Sequence, residues 1–388
     1  MHPQPTFCPN LACPSRGRSD AGNVRAHDSL RNRWRCTVWK TTFSGRKATA
    51  FYGLKDNDAG HRDPCGSRKA TAFYGLKTEP QIVVWVGALL AFGCPPQAIV
   101  AAFGLDERTV ALWQKRAGQH CEAVHAALVQ TPQDLAQVQA DEIRVRCQKR
   151  LVVWLAMAIC VPTRLWLGGV VSAPRDKGLA RALANKVNAC ACCAALLVVT
   201  DGWRVYQDAF VKAFRQAVRS GRRGRPRLVV WPAFVLAQTV KWQEAGRTIG
   251  IKVCHLYGSL APIAALLPKE QVLSTAYIER LNAPFRQRLS GLCRRTRTLL
   301  RSESSVQTGM YLVGTVYNFC TPHQSLHTDR QPRTPAMAAG LTGHIWSIAE
   351  LLGYQVAPAP YVAPKRRGRP PGKKVQQEHK GANALVTV

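Results

Sequence analysis

Residues 194–203 read Ala-Ala-Leu-Leu-Val-Val-Thr-Asp-Gly-Trp. An unbroken apolar run of this length predicts a strand, Ala194–Thr200, covered on both faces. A carboxylate, Asp201, closes it directly before Gly202. Amphipathic patterns over Pro174–Asn188 and Val205–Ser220 predict a helix on either side of it in sequence. Three further apolar runs come first, Val138–Arg146, Leu151–Cys160 and Leu165–Ser172, separated by short turns. Three strands, a helix, a strand and a helix predict an α/β fold built on a mixed sheet.

Upstream, residues 80–128 read as helical. Gln81–Phe92 ends at Gly93, and Pro95 and Pro96 open Gln97–Phe103, which Gly104 stops. Asp106 is placed to cap a third helix through Thr109, Trp113 and Arg116. Helix, short Gly-containing turn, helix is the spacing of a helix-turn-helix. Arg108, Thr109, Gln114 and Lys115 would then face double-stranded DNA; the alternative is an ordinary three-helix core. Downstream, long helices are expected over Thr275–Leu300 and Ser304–Phe319, with less regular strands before them to about residue 258.

The N-terminal 45 residues carry Cys8 and Cys13 in C-x4-C spacing, and then Cys36. Three such thiolates can begin a tetrahedral zinc site. Trp39 stands where the fourth ligand is expected, and His27, His61 and Cys65 lack the right spacing. A broken site with spare thiols is the competing reading. The segment RKATAFYGLK occurs twice, at Arg46–Lys55 and at Arg68–Lys77. Two copies are too few for a stacked repeat and indicate a local duplication.

The charge points to a polyanion. The chain of 388 residues holds 54 Lys and Arg against 22 Asp and Glu, a net +32. Each cation that meets a phosphate releases counterions. At 46% hydrophobic the chain can still bury a core. The apolar runs Val83–Cys94 and Leu151–Pro162 are at most about 12 residues, too short for a bilayer. The 14 cysteines, without an apolar leader, predict a reducing cytoplasm. No phosphate loop or nucleophile elbow is present. Two R-G-R-P segments put Arg223 with Arg225, and Arg367 with Arg369, in position for an A·T minor groove or for plain phosphate contacts.

With acids so scarce, their placement is informative. Asp141 and Glu142 lie inside the first strand of the α/β unit, and Asp201 ends the buried one. Two carboxylates ~4 Å apart repel by about 4 kcal/mol at an effective dielectric of 20, so a bound cation is the natural neutraliser. Glu279 borders the apolar stripe Ile278, Leu281, Phe285, Leu289 and Leu292; Asn282 and Arg286 follow on its own face. Phosphodiester cleavage by two Mg²⁺ ions, or Mn²⁺, needs such carboxylates. Taken singly, each has an ordinary explanation: a helix cap for Asp201, an edge position for Asp141, an ion pair with Arg280 for Glu279.

Four stretches together resemble the DDE transposases of bacterial insertion sequences, in particular the insertion-sequence-one-like group. They are Gln139-Ala140-Asp141-Glu142-Ile143, Thr200-Asp201-Gly202-Trp203, Tyr277-Ile278-Glu279-Arg280-Leu281-Asn282 and Arg294-Arg295-Thr296. The segments Val316–Cys320 and Pro322–Leu326 are similar to the region after the catalytic Glu. The likeness runs from about Cys8 to Leu352. It implies a zinc-ribbon-like segment over 1–45, here degenerate, and a helix-turn-helix domain over 80–130; the repeat makes 46–79 a duplicated basic linker between them. The Pro-rich, basic composition beyond Ala357 predicts a disordered tail with an AT-hook-like core over 357–388, and the likeness implies an RNase H-like catalytic domain over 136–345. It further implies Asp141, Asp201 and Glu279 as the catalytic, Mg-binding triad. DNA contacts are expected from Asn282 and Arg286 as well, and pairing of two element ends implies at least a homodimer in a bacterial cytoplasm. Trp39, the duplication and the charged Arg144 after the first Asp motif depart from the family pattern. These departures keep open a catalytically silent DNA-binding remnant or regulator.

Overall fold

A computed structural model describes residues 7–19, 21–28, 33–45, 47, 80–192, 194–219, 221, 224–244, 247–259, 273–293, 300–328 and 331–358. Most of the duplicated segment, Arg223, Arg294–Arg297 and the tail with Arg367 and Arg369 lie outside the described residues. Near the N-terminus β1 (Val24–Asp28), β2 (Arg33–Cys36) and β3 (Thr42–Ser44) form a small antiparallel sheet. Three helices follow, α1 (Pro80–Ala91), α2 (Pro96–Phe103) and α3 (Glu107–Leu128). Next come β4 (Gln137–Arg146), β5 (Val152–Cys160), β6 (Trp166–Ser172), α4 (Lys177–Cys190), β7 (Leu196–Thr200) and α5 (Val205–Ala213). The chain continues through β8 (Arg215–Val218), β9 (Arg227–Val230), β10 (Phe234–Glu244) and β11 (Arg247–Tyr257). Helices α6 (Ala276–Arg288), α7 (Glu303–Cys320), α8 (Pro335–Ala338) and α9 (Ile348–Gly353) complete it.

The large sheet is mixed, as the α/β pattern predicts. Its order is β11-β10-β7-β4-β5-β6. β4, β5 and β6 meander antiparallel, whereas β4, β7 and β10 run parallel. All five residues of β7 are buried, which is what an apolar strand in mid-sheet requires. Alternation also settles Arg144: it points to solvent between the buried Ile143 and Val145.

Three expectations change. The helix drawn over Val205–Ser220 stops at Ala213, because Arg215–Val218 pairs with Arg227–Val230 as an antiparallel hairpin. The break falls at Phe214, which is buried and stacks on Phe234 with ring centroids 4.8 Å apart. A cross-strand partner and an aromatic anchor outweigh helix propensity there. The irregular strands become one long hairpin, β10 with β11, each of 11 residues. The helix from Thr275 ends at Arg288, followed by a 3-10 turn at Ser290–Leu292.

One hydrophobic cluster runs from Val83 to Leu352, so helices α1–α3 share a core with the sheet. α7 is its axis. A Cβ on Gly314 would come within 2.3 Å of the Trp166 ring, and one on Gly118 of α3 would meet the Thr308 carbonyl at 2.3 Å. Glycine therefore sets how closely α7 approaches both β6 and α3. Asn318 finishes the edge strand: its Oδ1 accepts from Trp166 N and its Nδ2 donates to Trp166 O, both at 2.9 Å. His125 lies between Trp166 and Tyr311, and burial pulls its pKa down to about 3, so it is neutral. Among the described residues no helix is long and apolar enough to cross a membrane.

Candidate carboxylate site

Strand register brings the first two acids together. Ala140 pairs with Thr200 across β4 and β7, so Asp141 and Asp201 occupy the next positions side by side. Asp201 accepts from the backbone N of Trp203 at 3.2 Å, a local turn that holds it at the strand end. Carboxylate oxygens of Asp141, Glu142 and Asp201 lie within 4.8 Å of one another. Burial raises the pKa of Asp141, and the charge of Asp201 raises it further. Glu142 is raised by the same two causes in the same order. Both shifts record first the burial of the acids and then their mutual repulsion, which for Glu142 outweighs the opposing charge of Arg175.

Helix α6 supplies the rest. Glu279 stands in its first turn, where Thr275 donates its hydroxyl to Oε1 at 3.0 Å. Asn282, 2% exposed, donates from Nδ2 to Asp141 Oδ2 at 2.8 Å, while its Oδ1 is buried without a hydrogen-bond partner. Asp141, Asp201, Glu279, Asn282 and Arg286 line one open cavity of about 570 Å³. Glu279 lines that cavity but lies outside the tight cluster of Asp141, Glu142 and Asp201. Clustered hard oxygen donors with an orphaned amide oxygen fit a divalent cation such as Mg²⁺ or Mn²⁺.

Two supports escape a motif-level reading. Gln139, 1% exposed, joins β4 to the start of α6. Its Oε1 accepts from the backbone N of Tyr277 at 2.9 Å and of Ile278 at 3.0 Å; its Nε2 donates to Ser274 O at 2.6 Å. One side chain thus satisfies two free N–H groups of a helix start and sets where Glu279 stands. Its position two residues before Asp141, on the same strand face, is the signal that could have found it. Glu142, on the other face, is held by the Tyr206 hydroxyl at 2.9 Å and by an ion pair with Arg175. The Arg175 guanidinium also lies over Trp154 and Trp203 at 5.0 and 4.6 Å.

The residues expected to meet DNA are spread out. Asp106 caps α3 by accepting from Arg108 N at 2.8 Å, and α2 ends at Gly104 with a left-handed φ of +61°. On α3, Arg108 and Lys115 are exposed, while Thr109 and Gln114 are half-buried. Glu107 beside them pairs with Arg301 at 3.1 Å. Arg225 is exposed in the turn between β8 and β9. Asn282 is committed to Asp141, whereas Arg286 faces the cavity.

The thiols also converge. Cys8, Cys13 and Cys36 place their sulfurs within 4.8 Å, with Cys13 and Cys36 3.6 Å apart. Burial pushes the Cys8 thiol up to about 12 and raises Cys13. Burial acts the same way on Cys36, but the N–H of Trp39 and the two neighbouring thiols reverse it. Trp39 donates its backbone N to Cys36 Sγ at 3.4 Å, and Asn23 Nδ2 does so at the same distance. Among the described residues no fourth His, Cys, Asp or Glu joins them. His27 is exposed on β1; His61 and Cys65 lie outside the described residues. Comparison with protein-family models and with curated proteins finds no match for this chain.

Proposed function

We propose that the chain is a DDE-type transposase that binds double-stranded DNA and carries out metal-dependent phosphodiester cleavage and strand transfer. One observation carries the reading: Asp141, Asp201 and Glu279, far apart in sequence, line a single cavity together with Asn282 and Arg286. The sheet supports it. Three antiparallel strands followed by parallel β7 and β10 are the mixed arrangement that an RNase H-like catalytic domain calls for, with β11 added beyond. The capped turn between α2 and α3 is consistent with a helix-turn-helix, and the net +32 with a nucleic-acid partner.

Asp141, Asp201 and Glu279 would hold Mg²⁺, or Mn²⁺, which when bound supplies Lewis-acid stabilisation and an activated oxygen nucleophile. The protein's own groups do the rest. Asn282 keeps Asp141 in one orientation, and Gln139 anchors the helix that carries Glu279. Arg286 offers a guanidinium to the non-bridging oxygens of a phosphodiester in the cavity. Tyr206 and Arg175 tie down Glu142, so that it neither swings into the cavity nor takes a proton from the nucleophile.

The test is a gel-based cleavage and joining assay on duplexes carrying the DNA that flanks the native locus, with Mg²⁺, Mn²⁺ or EDTA. Wild type is expected to nick and join only with a divalent ion. Asp201→Asn is expected to bind the duplex and leave it intact. Cleavage retained by that variant overturns the triad. Binding without nicking by wild type under either ion identifies the silent DNA-binding remnant instead.

A further inference from the structure

Helix α6 has a second working face. At 100° per residue, Glu279, Asn282 and Arg286 lie on one side of it, and Tyr277, Arg280, Pro284 and Arg288 on the opposite side. That opposite side borders a separate cavity of about 240 Å³, closed by Arg164, Tyr317 and His323. Arg164, Arg280, Arg288 and His323 line it, and among the described residues no carboxylate does. Cations on a protein surface are ordinarily interleaved with acids, since like charges held together repel.

Two of the guanidiniums, those of Arg164 and Arg288, are held by aromatic faces. Arg164 lies over the Tyr277 ring at 3.9 Å and donates to the Val161 carbonyl. Its own carbonyl accepts from the Tyr317 hydroxyl at 3.1 Å. Arg288 lies over Phe92 at 4.5 Å, and its Nη1 is enclosed without a hydrogen-bond partner. Arg280 is exposed and makes no hydrogen bond or ion pair among the described residues. Arg164 and Arg288 are thus held in place beside the exposed Arg280, and among the described residues no acid pairs with the three, which is the form of a site for a tetrahedral oxyanion.

We propose that this cavity binds a phosphodiester of the nucleic-acid strand whose reacting phosphate enters the carboxylate cavity. The assignment rests on the proposed function. A helix with side chains is about 10–12 Å across, and a strand advances about 3.4 Å per nucleotide. A strand crossing α6 would therefore place a phosphate here about three nucleotides from the scissile one. The second cavity is a register clamp: it holds the strand so that one phosphate meets the acids.

The experiment uses the full chain and labelled 20-nucleotide single strands and duplexes, followed by fluorescence anisotropy across a salt series. Arg280→Gln is expected to weaken binding about 10-fold and to lower the slope of log affinity against log salt by about one. Lys177→Gln, at the exposed start of α4, serves as the control for generic loss of charge. Arg280→Gln that behaves like Lys177→Gln overturns the proposal. Inorganic phosphate is titrated in parallel. If Arg280→Gln loses phosphate binding while DNA affinity stays at the wild-type value, the cavity is a small-anion site and the proposal falls. Cleavage is scored separately: Arg280-dependent binding without cleavage by wild type sinks the transposase reading and leaves the phosphodiester site standing.

Discussion

Two clusters in this chain bring three ligand-bearing side chains within 4.8 Å, one of thiols and one of carboxylates. Their supports differ. The thiols are themselves most of a small core: among the described residues Cys8, Cys13 and Cys36 join Val24 and Phe43, with Trp34 packed against them. The acids stand at the end of a buried strand whose core extends over the rest of the fold. A unit as small as residues 7–45 buries too little apolar surface to fold on that alone. Where ligands are the core, losing the ion or a ligand costs local structure. Where ligands sit on an independent core, the same loss costs chemistry and relieves repulsion.

The largest effect expected from this contrast is on the acid side. Asp141→Asn is predicted to lower divalent-dependent DNA cleavage on the order of 10³-fold or more in single-turnover assays. The far-ultraviolet circular dichroism of the variant should match wild type. A variant that loses both activity and secondary structure would erase the distinction between the two clusters.

Next comes the thiol side. Cys36→Ser, or a strong chelator, is predicted to raise the tryptic cleavage rate within residues 7–45 about 100-fold while the 80–358 region stays protected. Equal protection with and without chelator would show that the mini-sheet stands without an ion, and the contrast would then be broken.

A smaller effect tests how the acid site is supported. Gln139→Met leaves the N–H groups of Tyr277 and Ile278 without their acceptor. Cleavage is predicted to fall about 10–100-fold, as for other outer-shell partners of metal ligands. A threshold Mg²⁺ concentration shifted upward, with the rate recovered at saturation, would point to loss of Glu279 positioning. An unchanged rate would reduce the Gln139 contacts to helix capping.

The smallest effect is a pH-dependent stability difference. Asp141 has a raised pKa, so its contribution is full below the ordinary carboxylate value and is lost as pH rises through the raised one. In EDTA, Asp141→Asn should therefore be more stable than wild type at pH 7 and equal to it near pH 3, as read by chemical denaturation at the two pH values. Taking the difference between the two proteins cancels the opposite trend of His120 and His125. Their buried rings, with pKa lowered to about 4 and about 3, destabilise both proteins as pH falls below 6.5. Asn282 can accept the new amide by turning its unpartnered Oδ1 toward it. Added Mg²⁺ should reverse the order at pH 7.

Much of the fold was legible because it is local. The β4, β5, β6 and β7 runs are continuous in sequence, and their observed bounds lie within two residues of the apolar stretches. Asp106 as a cap and Gly104 as a stop follow from side-chain and backbone chemistry inside one turn. The hairpin at Arg215–Val230 was not legible, since its pairing depends on a partner strand across a basic loop and on where Phe214 is buried. In the site, Asp141, Asp201, Glu279, Asn282 and Arg286 were readable as unusual placements. The roles of Gln139 and Glu142 were not, because their partners lie 138 and 64 residues away.

By itself, then, the order of residues determined a mixed α/β sheet, a strand-terminal Asp, an acid-bearing helix and a cysteine spacing suited to a metal. Each follows from periodicity or from short-range steric and hydrogen-bonding rules. Only the tertiary structure decided that the acids share one cavity, that a glutamine pins α6 to β4, and that the far side of α6 gathers cations with no acid among the described residues there. Those facts depend on strand register and helix rotation, and both are settled by packing between segments that no local rule connects.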